Sequence, residues 1–245
     1  MKPYFAFPLM LVVLWPVYAL SDWLGLPSLL TSVVIFFAIN RALMAYNARA
    51  MLRLRPIPER GYERRREALE RDESRLFNLG FMKTDEFYIK SLSDMVVYVY
   101  EHRSEPVNLC VYHMGFKSYC DFITKFDGDV SLTTTSAATG AGAVKRPPHR
   151  LAQIFTDKDY DAMFEAHRAG VAFLTRHSIR PVDVSLTPFR QLYAKSVKEF
   201  NDFSRRDRLF LLKFVGGMAT ASAQRYKKPL EQQYPSGLTP EMLAS

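Results

Sequence analysis

Cysteine is scarce in this sequence, with two residues in 245. That number excludes a small disulfide-stapled scaffold, and 11 glycines are too few for a collagen-like fibre. The charged fraction of 24% and the hydrophobic fraction of 48% are typical of a globular protein, which excludes a wholly disordered chain. The length suits one full domain with attachments.

Motifs that would specify a reaction are also missing. The chain has no GxSxG nucleophile motif, and its glycine-containing loop at 140–145 lacks the spacing of a phosphate-binding P-loop. The alternating aspartates at 157–161 open like a calcium loop. That pattern fails, because Ala162 and Arg168 stand where glycine and glutamate are required.

The two cysteines offer no metal site either. Cys110 and Cys120 are symmetric about Gly115, so a three-residue turn would place them opposite one another on adjacent strands. A zinc ion needs two more ligands, and His113 is expected on the other face of the sheet from Cys110. We therefore predict no catalytic residue, no cofactor and no metal, and we leave enzymatic activity open while favouring a non-catalytic protein.

Long apolar runs are present at the start of the chain. Residues 3–21 and 23–40 carry no charged side chain, and Asp22 alone separates them. A helix rises about 1.5 Å per residue and the hydrocarbon core is roughly 30 Å thick, so about 20 residues cross it. The sequence predicts a membrane anchor over 1–48, with two transmembrane helices at about 4–20 and 27–45.

The arginines of residues 41–66 predict the orientation, because positive charge is retained on the cytoplasmic side. Both termini are then cytoplasmic, and we expect a multi-pass protein of a bacterial inner membrane. An alternative for residues 1–19 is a cleavable signal peptide, although Pro8 interrupts its apolar stretch. The second span remains in either case.

An arginine-rich helical neck is predicted over 49–78. Tyr62, Leu69 and Leu76 recur every seven residues, which predicts one thin apolar stripe on an exposed helix. Three heptad positions are too few to assign a coiled coil, so self-association through this stripe stays an alternative.

The body, residues 79–228, has the pattern of an α+β domain. Strands are predicted at 95–102, 107–113, 119–126 and 130–135, with an edge strand at 87–89, because these runs are rich in β-branched and aromatic residues and short turns join them. Helices are predicted from the Thr156 region to His177 and after Pro188. Residues 229–245 are predicted to be a flexible tail.

Basic side chains near the predicted membrane are the candidate site. Some of them flank the predicted anchor, and the others lie at or next to the apolar segment 209–223. That segment fits either a core helix or a helix lying on the membrane surface. These membrane-surface candidates are Arg49, Arg53, Arg55, Arg64, Arg65, Arg66, Arg205, Arg206, Arg208 and Lys213. The expected partners are a lipid bilayer, anionic lipid head groups, and a protein partner or a second copy of the chain. Nucleic acid is disfavoured because no base-reading motif is present.

The sequence as a whole predicts a transmembrane helical hairpin followed by a cytoplasmic antiparallel β-meander of four or five strands, packed by C-terminal helices. The predicted function is that of a non-catalytic, membrane-anchored adaptor or regulatory subunit whose α+β domain binds a protein partner or anionic lipid. The alternative is a membrane-anchored, hydrolase-like enzyme with a pocket near the loop at 133–148.

Overall fold

A computed structural model describes residues 49–90, 94–114, 117–137, 146–184, 187–206, 225–239 and 242–243, with a few single positions between 35 and 46. The chain divides into two compact units, Met1–Asn47 and Ala48–Ser245. Only isolated helical positions of the first unit are described, so the architecture below is that of the second unit.

The second unit is a sheet with helices packed on it. Its strands are β1 (Leu54–Arg55), β2 (Phe81–Ile89), β3 (Met95–His102), β4 (Val107–Met114), β5 (Lys117–Lys125), β6 (Ser131–Thr135) and β7 (Arg150–Ile154). Its helices are α1 (Glu63–Glu70), α2 (Glu73–Asn78), α3 (Tyr160–Arg176), α4 (Phe189–Arg206) and α5 (Leu230–Gln233), and a short 3-10 turn covers Asp127–Asp129.

The seven strands follow one another across the sheet in chain order. Strands β1 to β6 pair antiparallel, and the registers include Val97 opposite Tyr112 and Val111 opposite Cys120. Strand β7 pairs with β6 in parallel. The sheet is therefore mixed and larger than the predicted antiparallel meander of four or five strands, although strands lie where the sequence predicted them.

The two faces of the sheet have different covers. On one face, α3 packs against a large apolar cluster that includes Phe81, Phe122, Met163 and Phe164. Helices α1 and α2 join this face through Leu69 and Leu76, which are 1% and 0% exposed. The seven-residue stripe predicted from the sequence thus packs on the core of its own domain.

The other face of the sheet is covered by α4. Phe189 is buried there in a cluster with Phe87, Val97 and Cys110, and Tyr193 packs beside them. Arg190 anchors the start of the helix by two hydrogen bonds of 2.7 Å to the carboxylate of Asp85. Of the described α4 residues, Phe189 alone is fully buried, and half-buried apolar side chains such as Tyr193 pack beside it.

The segment predicted to be a flexible tail contains a short helix. Leu230 and Leu238 are 1% and 4% exposed and pack in a second cluster with Phe173 of α3. The side-chain amide of Gln233 donates to the carbonyl of Ala152 at 2.9 Å. This contact covers a backbone acceptor on the outer edge of β7, the last of the described strands in the sheet.

The predicted transmembrane hairpin must be corrected. Within the part of the chain that the structure describes, no helix is both long enough and apolar enough to cross a membrane. The longest described helices, α3 and α4, have 17 and 18 residues and carry charged side chains along their length. The predicted spans at about 4–20 and 27–45 lie almost wholly outside the described residues. The predicted fold class is therefore wrong, and the described fold is a seven-stranded mixed sheet with helices.

Candidate functional site

Three elements of the second unit begin or turn at the same end of the sheet. The register places Ile89 opposite Met95, Met95 opposite Met114, and Met114 opposite Lys117, so the β2–β3 and β4–β5 turns share this end. Strand β1 starts here as well, because Leu54 pairs with Ile89. We call this region the basic end of the sheet.

The segment before α1 is fixed at the basic end by specific contacts. The hydroxyl of Tyr62 lies 2.9 Å from the hydroxyl of Tyr88 and 3.3 Å from the carboxylate of Asp94. Arg65 donates to the backbone carbonyl of Asp94 at 2.8 Å. Burial, followed by the hydrogen bond with Tyr62, raises the pKa of Tyr88, so the Tyr88 phenol is neutral at physiological pH. Arg64 directly precedes Arg65 in α1, so its backbone lies at the same end of the sheet.

Exposed cations are concentrated around this end. Five exposed side chains at this end form no hydrogen bond or ion pair with any described residue: Arg53, Arg55, Arg64, Lys90 and Lys117. Arg49 and Arg60 are exposed in the adjoining segments. The guanidinium N–H donors of these arginines are not used by any described residue and can bind an external anion.

The acidic groups at the basic end are partly engaged already. The Asp94 carboxylate lies beside the Tyr62 hydroxyl, and the Glu63 carboxylate accepts from the backbone N–H of Gly61 at 3.0 Å. Backbone N–H groups of Glu63 itself and of Gly61 lower the pKa of the Glu63 carboxyl, which is therefore ionised. The exposed cations Arg53, Arg55, Arg64, Lys90 and Lys117 outnumber Asp94, Glu63 and the exposed Glu59 of the adjoining segment, so the net charge of this end stays positive.

The structure separates the predicted membrane-surface candidates into three groups. Arg49, Arg53, Arg55 and Arg64 are exposed and lie at or next to the basic end. Arg65 and Arg66 instead bind backbone carbonyls, Arg66 through contacts of 3.3 and 3.5 Å to Ile57 and Pro58. A third pair, Arg205 and Arg206, is exposed at the far end of α4. Arg208 and Lys213 lie outside the described residues.

Helix α4 explains why the third pair does not join the basic end. The helix starts beside Asp85 in the middle of β2 and reaches Arg150, the first residue of β7, through Glu199. Arg150 pairs with Ser131 at the end of the sheet opposite the basic end. Arg205 and Arg206 follow Glu199 along the helix, so they continue away from the basic end.

Two lysines of the basic end were not among the predicted site residues. Lys90 directly follows β2, and Lys117 opens β5. The signal that was available is topological, because alternate turns of an antiparallel meander lie at the same end of the sheet. Both lysines flank such turns.

A second polar cluster lies at the opposite end, under α4. Arg150 donates to Glu199 through its Nε at 3.0 Å and again through Nη2, and it contacts Asp129 at 3.4 Å. Lys195 donates to Asp129 at 3.0 Å. Partial burial acts to raise the pKa of Asp129, but Lys195 and Arg150 outweigh it and lower that pKa overall.

This cluster contains three groups that resemble metal ligands. Asp129, His149 and Glu199 place one ligand atom each within 4.8 Å of one another. Arg150 already binds both carboxylates, so a divalent ion there would have to displace or approach a guanidinium. Burial, and then Arg150, lower the pKa of His149, which leaves the imidazole neutral. The arrangement is that of an ion-pair network with a neutral histidine at its edge.

The cysteines do not face one another as predicted. Cys120 lies opposite Val111, and Cys110 lies opposite Asp121, so the thiols point to opposite faces of the sheet. Cys110 packs with Phe87, whereas Cys120 packs with Phe122. Both are free, and burial raises the pKa of Cys120 to about 12. The prediction placed Cys110 opposite Cys120, and it is wrong because the observed pairing of β4 with β5 is shifted by one residue from that register.

The predicted membrane-anchored adaptor, its enzyme alternative and the predicted multi-pass location are corrected on the same ground as the fold class, since no described helix is suited to cross a membrane. The alternative pocket near the loop at 133–148 falls partly outside the described residues, because residues 138–145 are not described. Comparison with protein-family models, with curated proteins and with solved structures finds no match to this chain.

Proposed function

We propose that the protein binds phosphate-bearing anions through the basic end of the sheet. The observation that supports this proposal is that exposed cations from β1, α1, the β2–β3 turn and the β4–β5 turn lie at one end of the sheet and pair with no described residue. Sequence-distant residues are brought together there, which a stretch of arginines in a linear segment alone would not achieve.

Arginine is well suited to this role. Its planar guanidinium offers paired N–H donors that match two oxygens of a phosphate, and it stays charged at all physiological pH values. The chain carries a formal net charge of +8, so long-range attraction favours the approach of an anion. Near an anionic surface, each basic residue contributes about 1 kcal/mol, which corresponds to roughly a fivefold change in affinity.

The test compares two triple variants of the full chain. In the first, Arg53→Gln, Arg55→Gln and Arg64→Gln remove three cations of the basic end. In the second, Arg103→Gln, Arg176→Gln and Arg180→Gln remove three exposed cations from elsewhere in the domain, and both variants lower the net charge equally. Binding of a fluorescent polyphosphate, followed by anisotropy, should weaken roughly 100-fold in the first variant and only slightly in the second. Equal weakening in both would reject a localised site.

A second part of the experiment distinguishes anionic lipid head groups from soluble phosphate compounds as the bound anion. Vesicles of phosphatidylglycerol present phosphate in lipid head groups that carry a net negative charge. The head groups of phosphatidylcholine vesicles also contain phosphate, but their net charge is zero. Binding to the first alone, with the same ranking of variants, assigns the site to anionic lipid head groups. Binding to polyphosphate alone assigns it to soluble anions. The expected protein partner or second copy of the chain stays a prediction.

A further inference from the structure

Apolar side chains lie among the cations of the basic end. The turn formed by residues 50–53 is closed by a hydrogen bond of 3.0 Å from the backbone N–H of Arg53 to the carbonyl of Ala50. Its two central residues, Met51 and Leu52, are 37% and 43% exposed, whereas Ala50 is 7% exposed. The turn therefore holds two adjacent aliphatic side chains out towards solvent, directly before β1.

Strand β1 fixes this turn at the basic end. Leu54 follows the turn, pairs with Ile89, and packs against the apolar cluster under α4. Since a chain advances at most about 3.6 Å per residue, the Cα of Leu52 lies within roughly 7 Å of the Cα of Leu54. Three exposed cations flank the two aliphatic side chains along the chain, namely Arg49, Arg53 and Arg55.

Two methionines add apolar area at the same end. Met95 begins β3, where it pairs with Ile89, and it lies opposite Met114, the last residue of β4. Both methionine side chains are half-buried. The methionine side chain is flexible and polarisable, so it adapts to an irregular apolar partner. The basic end thus presents cations and adaptable apolar side chains together.

We propose that the basic end docks on the surface of a lipid bilayer with anionic head groups, and that Met51 and Leu52 enter the boundary between head groups and acyl chains. This inference rests on the proposed function, because the cations of the basic end supply the attraction to the head groups. Peripheral binding of this kind combines charge attraction with burial of apolar area, and it requires no helix that crosses the bilayer.

Other partners use only part of this surface. A soluble phosphate compound meets the cations, but it gains nothing from exposed aliphatic side chains. Single-stranded nucleic acid is bound by aromatic side chains that stack on its bases, whereas Met51 and Leu52 are aliphatic. A second copy of the chain would bring the same cations face to face, and like charges repel. A bilayer with anionic head groups satisfies both the charges and the apolar side chains.

A fluorophore placed on the turn tests this inference in the full chain. Both native thiols, Cys110 and Cys120, are buried, so a thiol-reactive NBD dye labels the introduced thiol of Leu52→Cys. With phosphatidylglycerol vesicles that contain spin-labelled acyl chains, we expect the dye emission to shift to the blue and to be quenched. With phosphatidylcholine vesicles it should stay unchanged, because no net charge attracts the basic end.

The matched control is a label at the opposite end of the sheet. Met82 is 51% exposed and pairs with Glu101, at the end of β2 far from Ile89. The dye on Met82→Cys should stay in water with both kinds of vesicle. Equal quenching at the two positions, or no quenching of the dye on Leu52→Cys, would overturn the inference.

Double variants separate the apolar contribution from the charge. Met51→Ser with Leu52→Ser should weaken binding to phosphatidylglycerol vesicles at least about tenfold and leave polyphosphate binding unchanged. Phe77→Ser with Met82→Ser removes two side chains that are 55% and 51% exposed elsewhere, and it should change neither. Equal weakening of vesicle binding by the two double variants would contradict the proposed insertion.

Failure of this inference is distinguishable from failure of the proposed function. If the vesicles are not bound while polyphosphate binding still depends on the arginines of the basic end, the inference is wrong and the proposed function stands. If neither polyphosphate nor the vesicles are bound, both are wrong.

Discussion

The hydroxyl oxygens of Tyr62 and Tyr88 lie 2.9 Å apart, and their rings meet edge to face with centroids 5.1 Å apart. Tyr62 precedes helix α1 and Tyr88 belongs to β2, so this pair joins the first helix of the domain to its sheet. The same pair fixes the approach of α1 to the basic end.

Removing this hydroxyl contact should weaken the fold without disrupting it. Tyr62→Phe loses the partly buried contacts of this hydroxyl with Tyr88 and with Asp94, so we expect the free energy of unfolding to fall by about 1–3 kcal/mol. Tyr119→Phe is the matched control, because its hydroxyl bonds to no described residue and should change the value little. Urea unfolding followed by circular dichroism measures both, and equal losses would show that the Tyr62 contact is not special.

Replacing Arg65 should lower the unfolding free energy more than replacing its neighbour Arg64. Arg65→Gln removes the 2.8 Å hydrogen bond to the Asp94 carbonyl, so we expect a loss of about 1 kcal/mol of unfolding free energy. Arg64→Gln should stay within about 0.5 kcal/mol of the wild type, because Arg64 is exposed and forms no hydrogen bond or ion pair with any described residue. Thermal or urea denaturation of the two variants decides the matter. A larger effect of Arg64→Gln than of Arg65→Gln would contradict the division of these residues into surface and structural groups.

Acid should destabilise the domain through His167. This side chain is 0% exposed between the hydroxyls of Thr124 and Thr134, at 2.9 and 2.8 Å, and burial lowers the pKa of His167 to about 3. The unfolded chain takes up a proton near pH 6.5, whereas the folded chain does not, so stability falls as the pH drops from about 6.5 towards 3.

The expected size of this loss between pH 7 and pH 5 is about 2 kcal/mol. In His167→Gln, which has no proton to gain, the difference between the unfolding free energies at the two pH values should be smaller by that amount. Urea titrations at both pH values measure it. If the two proteins respond to acid identically, His167 is not the acid-sensitive group.

Gly170 permits the close packing of α3 on β6. A methyl group at this position would lie 2.7 Å from Cδ2 of Leu132 and 3.0 Å from Nε2 of Gln153. We therefore expect Gly170→Ala to lower the unfolding free energy by about 1–3 kcal/mol, even though alanine favours a helix. In a Leu132→Val background, which removes Cδ2, the cost should be smaller. A stabilised Gly170→Ala protein would show that the contact relaxes freely.

Strands joined by short turns were predictable from the sequence, whereas a strand that pairs across a long connection was not. Strands such as β3 and β4 were predicted because Val, Tyr and other β-favouring residues alternate with short turns. Strand β7, Arg150–Ile154, was missed because its short run has weak strand preference and pairs in parallel with β6 across a long connection. The extension of β2 to Phe81 was missed because its outer residues are exposed and polar.

The candidate site was predictable in composition and only in part in geometry. Arginine content alone indicated an anion-binding region. Whether a given arginine faces solvent or holds a backbone carbonyl depends on the tertiary approach of α1 to the β2–β3 turn, as Arg64 and Arg65 illustrate. Lys90 and Lys117 join the site because the β2–β3 and β4–β5 turns share an end of the sheet, which the predicted meander already implied.

The most direct measurement of the central claim is a titration of the full-length protein with polyphosphate, followed by NMR of the arginine side-chain N–H groups. The proposed function predicts that the resonances of Arg53, Arg55 and Arg64 shift together as the anion binds, while those of Arg103 and Arg180 stay in place. Equal shifts at all five positions, or none at the basic end, would contradict it.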